Sequence, residues 1–132
     1  GAADSLSSDK MVSIGLNTAE EAQMTRRNGT QYLTTGTSDL GQSPFTTAYV
    51  LTGQFLSDTE AKILVSTSVE GTDTNTSALA SLDTFGVGRL FDSTPNLPFN
   101  GHLGRMVGFE GAITDDQRDD IIRELESETG IS

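Results

Sequence analysis

Two acidic side chains, one histidine and a few Asp/Asn pairs are the residues of this chain whose types and spacing suggest chemistry. Glycoside hydrolysis needs two carboxyl groups about 5 to 9 Å apart, one to protonate the leaving oxygen and one to attack or to activate water. Glu70 and Asp73 are the nearest candidates, but Glu70 to Ser77 is rich in Gly, Thr and Asn, the composition of an exposed loop. Solvated loop acids are the simpler account, and no enzyme is expected. His102 is the only histidine. A Ser–His–Asp site would need it as base, yet no Gly-x-Ser-x-Gly elbow accompanies it, so it reads as a surface or strand-edge side chain. One histidine and no cysteine exclude a zinc site and thiol chemistry. These residues call for no cofactor, and calcium is the one they could hold. Asp73 with Asn75, and Asp92 with Asn96, offer the hard oxygens it prefers. Neither pair matches a defined calcium loop; these four are the ligand or metal loop candidates.

Sugar binding usually needs an aromatic plate, and the chain has no tryptophan and only Tyr32 and Tyr49. Both tyrosines read as core or edge residues. Asn28-Gly29-Thr30 and Asn75-Thr76-Ser77 match the N-glycosylation pattern, which matters only in a secretory pathway. The net charge is −11, from 19 acids against 8 bases. Such a domain repels phosphate backbones and anionic lipid surfaces, so neither nucleic acid nor a membrane is an expected partner. No stretch approaches the ~20 apolar residues of a membrane span.

The elements that would position these residues are mostly strands. With 132 residues the chain has the length of one domain; 32 Ser and Thr and 14 Gly favour short strands and turns over a helical bundle. Met11–Leu16 alternates, with Val12, Ile14 and Leu16 on one face. Thr18-Ala19-Glu20-Glu21 has capping-box spacing and predicts a short helix over 19–27, closed by Asn28-Gly29. Strands are predicted over 45–51, 61–69 and 85–90, with loops at 36–43, 53–59, 70–77 and 92–98. Leu103, Arg105, Val107 and Phe109 share one face of a strand spanning Phe99–Phe109. Thr114 and Gln117 are spaced to cap a helix from Asp115 to about Glu128, whose packing stripe is Arg118, Ile121, Ile122 and Leu125.

The run from Phe99 to Gln117 resembles the closing segment of the concanavalin A-like, laminin-G-like jelly rolls. Their last strand reads aromatic, x, Gly, x, aliphatic, small, x, aliphatic, x, x, aromatic, followed by an aliphatic-Ser/Thr-x-x-Glu/Gln helix start. Phe99, Gly101, Leu103, Gly104, Met106, Phe109, Ile113, Thr114 and Gln117 fall on that pattern. Residues 31–33, 44–51 and 61–66 resemble the opening strands, and 85–90 the strand before the last. The resemblance implies a mainly β fold, an antiparallel β-sandwich that is a reduced concanavalin A-like jelly roll with a C-terminal α-helix. It spans 31–132, after an N-terminal arm of 1–30 carrying a strand and a short helix. Only about fifteen residues separate Val69 from Phe85, where related folds place several more strands. Either the sandwich is reduced, or residues 1–30 supply replacements.

What the resemblance implies about function is a non-catalytic structural or adhesion module of a virion (tail, spike or head decoration, as in tailed bacteriophage) or a bacterial surface. Its partners would be protein subunits of a larger assembly, as a homo-oligomer, and its location the virion or the extracellular surface. The alternative is a glycan-binding, lectin-like module, with a groove bordered by loops 36–43, 70–77 and 92–98. A glycoside hydrolase is the weaker reading, because the Glu-x-Asp-x-x-Glu string of the enzymatic cousins of this fold does not occur.

Overall fold

The computed structural model of the chain describes residues 2–4, 7–16, 21–28, 30–39, 48–57, 59–74, 84–85 and 103–130. These form eight strands and one helix: β1 (Ala2–Asp4), β2 (Ser7–Leu16), β3 (Glu21–Asn28), β4 (Thr30–Asp39), β5 (Leu51–Ser57), β6 (Glu60–Val65), β7 (Ser68–Asp73), β8 (Thr84–Phe85) and α1 (Asp115–Thr129). The protein is mainly β, with two antiparallel sheets ordered β4-β3-β2-β1-β8 and β5-β6-β7. Consecutive strands pair with each other in both sheets, and β8 returns to pair with β1. This is a meander order rather than a Greek key. No helix among the described residues is long and apolar enough to cross a membrane.

Period-two alternation sets the faces. On β3, Ala22, Met24 and Arg26 are buried; across the ladder, Leu16 stands opposite Ala22, Ile14 opposite Met24 and Val12 opposite Arg26. On β6, Ala61 and Ile63 point the same way as Phe55 and Gly53 of β5, their ladder partners. Ala22 and Met24 pack with Ala61 and Ile63 into one cluster, flanked by Leu16, Leu51, Phe55 and Val65. The other face of β6 carries Leu64, which packs with Val50 and with Ile122 and Leu125 of α1. The three-stranded sheet therefore has the larger sheet on one side and the helix on the other. Each fully buried aliphatic side chain contributes about 1.5–3 kcal/mol relative to its exposed state.

In its described part, 21–27, the predicted helix over 19–27 is a strand instead. Helix propensity is a weak preference. The alternating run Val12-x-Ile14-x-Leu16 leaves a ladder that β3 pairs in register from Lys10–Asn28 to Leu16–Ala22. Asn-Gly is also a strong hairpin signal, and Gly29 is the single residue between β3 and β4. The N-terminal arm thus supplies strands to the same sheet as residues 30–39.

Other boundaries move as well. Residues 48–50 lie outside any strand, and β5 occupies 51–57, where a turn was expected. The strand expected over 61–69 is two strands, β6 and β7, reversing at Ser66-Thr67. Ser66 has φ 51°, the left-handed region that costs a non-glycine residue about 1–2 kcal/mol. Its amide donates to the Val50 carbonyl at 2.8 Å, which ties the turn to the entrance of β5. Strand β7 then occupies the first part of the expected loop 70–77, and β4 runs to Asp39, into the loop expected from 36. Of the strand expected over 85–90, Phe85 belongs to β8, and 86–90 lie outside the described residues.

Gly53 permits the close approach of the two sheets. A Cβ there would stand 2.7 Å from the Met24 sulfur and 3.5 Å from Ile14 Cδ1. Gly53→Ala is therefore expected to cost about 1–3 kcal/mol in urea unfolding, the usual range for overpacking. Adding Met24→Ala should make the double variant less destabilised than the sum of the two single changes.

Candidate interaction surface

Of the four ligand candidates, only Asp73 lies among the described residues; Asn75, Asp92 and Asn96 lie outside them, as does His102. Asp73 is not an exposed loop acid. It ends β7, opposite Ala61 on the inward face, and is 5% exposed. Its Oδ2 lies 3.4 Å from Arg26 Nη2, and Arg26, 2% exposed, also donates from Nη1 to the Ser57 carbonyl at 3.2 Å. One guanidinium thus links β3, β5 and β7, and the carboxylate that calcium would need is engaged by an internal cation.

Glu70, the other carboxylate of the hydrolase pair, lies on the same strand, where the β6–β7 register shifts between the pairs Leu64–Val69 and Ile63–Gly71. The bulge interrupts strict alternation at Glu70, whereas regular pairing from Gly71 to Asp73 turns Asp73 inward to Arg26. Among the described residues no group of three or more His, Asp or Glu side chains could hold a metal ion.

The feature that sequence reasoning missed is at the other end of the chain. The closing strand expected over 99–109 is not a strand in its described part: Leu103–Glu110 has no sheet assignment and makes no backbone hydrogen bond to a described residue. Leu103, Met106, Val107 and Phe109 are 53%, 51%, 41% and 59% exposed. The expected alternation survives, because Arg105, Val107 and Phe109 all face α1. With Ile121, Glu124 and Leu125 they line a hollow of about 110 Å³. The run lies against a helix flank in place of a ladder. Periodicity reads the same for a buried strand and for an extended apolar strip, so no sequence signal separates them.

Two contacts position the strip. At one end, Arg105 Nη1 donates to Glu128 Oε1 on the last turns of α1, and that bond, then the charge of Glu128, raises the guanidinium pKa above its ordinary value. A Cβ on Gly104 would lie 3.8 Å from the Thr129 methyl, so the chain passes close to the helix there. At the other end, Thr114 caps α1. Gln117 N donates to Thr114 Oγ1 at 3.1 Å and Thr114 N to Gln117 Oε1 at 2.9 Å, the expected capping box. Gly130, with φ 76°, closes the helix.

The helix presents the expected stripe. Ile122 is buried and Leu125 packs beside it. Arg118 is buried and donates from Nη1 to Gln54 Oε1 of β5 and to Asp115 Oδ1, each at 3.1 Å, and from Nε to Asp119 Oδ1 at 2.9 Å.

Known proteins offer nothing to carry over: no family model matches the chain, and no curated protein or solved structure is similar to it.

Two stability measurements check this arrangement. Asp73→Ala should cost about 3–5 kcal/mol in denaturant unfolding, because it leaves the Arg26 charge buried without its carboxylate, and Arg26→Met with Asp73→Leu should recover most of that loss. Thr114→Ala should cost about 1 kcal/mol and speed amide exchange in the first turn of α1.

Proposed function

We propose that the chain is a non-catalytic structural or adhesion module, a reduced β-sandwich that binds a neighbouring protein subunit through its C-terminal strip. The observation that carries this reading is Leu103–Phe109: an extended run with four large apolar side chains half in water and a backbone edge without a partner among the described residues. Edges of this kind are natural sites for strand addition. An internally paired Asp73 gives no support to a hydrolase or to calcium at that position. A place in a virion or on an extracellular surface rests on the resemblance of residues 99–117 to the closing segment of jelly rolls found there.

The test is the mass of the native species isolated from its source. The expected result is a complex well above the 14.0 kDa of one chain, reduced to one chain by Met106→Asp with Phe109→Ser while the circular dichroism of the domain is kept. Micromolar, saturable sugar binding on a glycan array, with or without calcium, would replace this reading with the lectin one.

A further inference from the structure

The hollow beside the strip has a chemical bias of its own. Its floor is apolar: Val107 and Phe109 from the strip, Ile121 and Leu125 from α1. Its volume, about 110 Å³, corresponds to three or four waters and has room for one branched aliphatic side chain. The polar groups at its rim are Arg105 and Glu124. Arg105 is engaged by Glu128; Glu124 also acts on Arg105 through its charge but forms no direct ion pair among the described residues.

The surroundings extend the same sign. Helix α1 carries seven carboxylates against two arginines, and both arginines are tied to aspartates of the helix: Arg118 to Asp115 and Asp119, Arg123 to Asp120. Leu103–Glu110 thus runs along an apolar hollow and an acidic helix.

We propose that this hollow receives an extended segment of a different protein, carrying an aliphatic side chain with Lys or Arg two residues away on the same face. The segment pairs with Leu103–Phe109 as an added strand, seats the aliphatic group on Val107 and Leu125, and brings the cation to Glu124. The inference rests on the docking reading above and names its partner. A second copy fits poorly. Each chain carries −11, and a two-fold contact along the strip would set two acidic helices side by side.

The probe is a nine-residue peptide in which Thr alternates with Lys and Ile (Thr-Lys-Thr-Ile-Thr-Lys-Thr-Ile-Thr), followed by fluorescence anisotropy and amide exchange on the full chain. Two controls are used: the same peptide with Glu for Lys, and a permuted peptide with the two Lys adjacent and the two Ile adjacent. The expected result is micromolar binding at least tenfold tighter than either control, with slowed exchange at Leu103–Phe109. Glu124→Lys should weaken binding at least tenfold. Asp116→Lys, the same charge change on the exposed first turn of the helix, should weaken it less than threefold.

Equal binding of the permuted peptide, unchanged exchange along the strip, or equal effects of the two charge reversals would overturn the proposal. If the peptide does not bind but the chain self-associates and Met106→Asp abolishes that, the basic partner is wrong and the docking surface stands. If neither binding nor strip-dependent association occurs, both readings fall.

Discussion

One strand has to be dry on both sides, and the rest of the molecule is arranged around that requirement. Ile63 and Leu64 are consecutive on β6, point to opposite faces, and are both fully buried. A strand of that kind needs a cover above and below, as central strands of layered proteins do. On the Ile63 side the cover is β3, with Ala22 and Met24; on the Leu64 side it is α1, with Ile122 and Leu125. Gly53 beside Met24 lets the first cover approach, and the Ser66 turn, bonded to Val50, places part of the second.

Each cover also brings one arginine into the interior, and each arginine is met by acceptors. Arg26 lies between the sheets with Asp73 and the Ser57 carbonyl; Arg118 lies over the outer face with Gln54, Asp115 and Asp119. Burial of a guanidinium is tolerated when acceptors meet its charge. With Arg105 and Arg123 also tied to carboxylates, half of the eight basic side chains are engaged inside the domain or along its helix. The acidic excess is left on the surface. That distribution explains why a chain with buried ion pairs still presents a strongly negative exterior.

The strip from Leu103 to Phe109 has the opposite character. It holds the hydrophobic pattern of a core strand but lies beside the helix that already covers Leu64, and so keeps much of its apolar surface in water. Its tethers are polar and local, a salt bridge at Arg105 and a capping box at Thr114.

The amino-acid sequence was sufficient where interactions are local. The capping box of Thr114 and Gln117, the stripe Arg118, Ile122 and Leu125, and the alternation of Val12, Ile14 and Leu16 involve residues close in the chain, and those elements stand where their spacing places them. Residues 21–28 look helical in isolation and are a strand because β2 offers them a ladder. Ser66-Thr67 lacks the Asn or Gly of a usual two-residue turn, so the division of 61–69 into β6 and β7 is invisible until the strands pair. Asp73 reads as a loop ligand by its neighbours and is an internal ion-pair partner by virtue of Arg26, 47 positions away. Alternation specifies that a run is extended and which side chains share a face. Which face another layer covers is set by contacts between distant segments, and only the tertiary structure decided that β6 is enclosed while Leu103–Phe109 is left open.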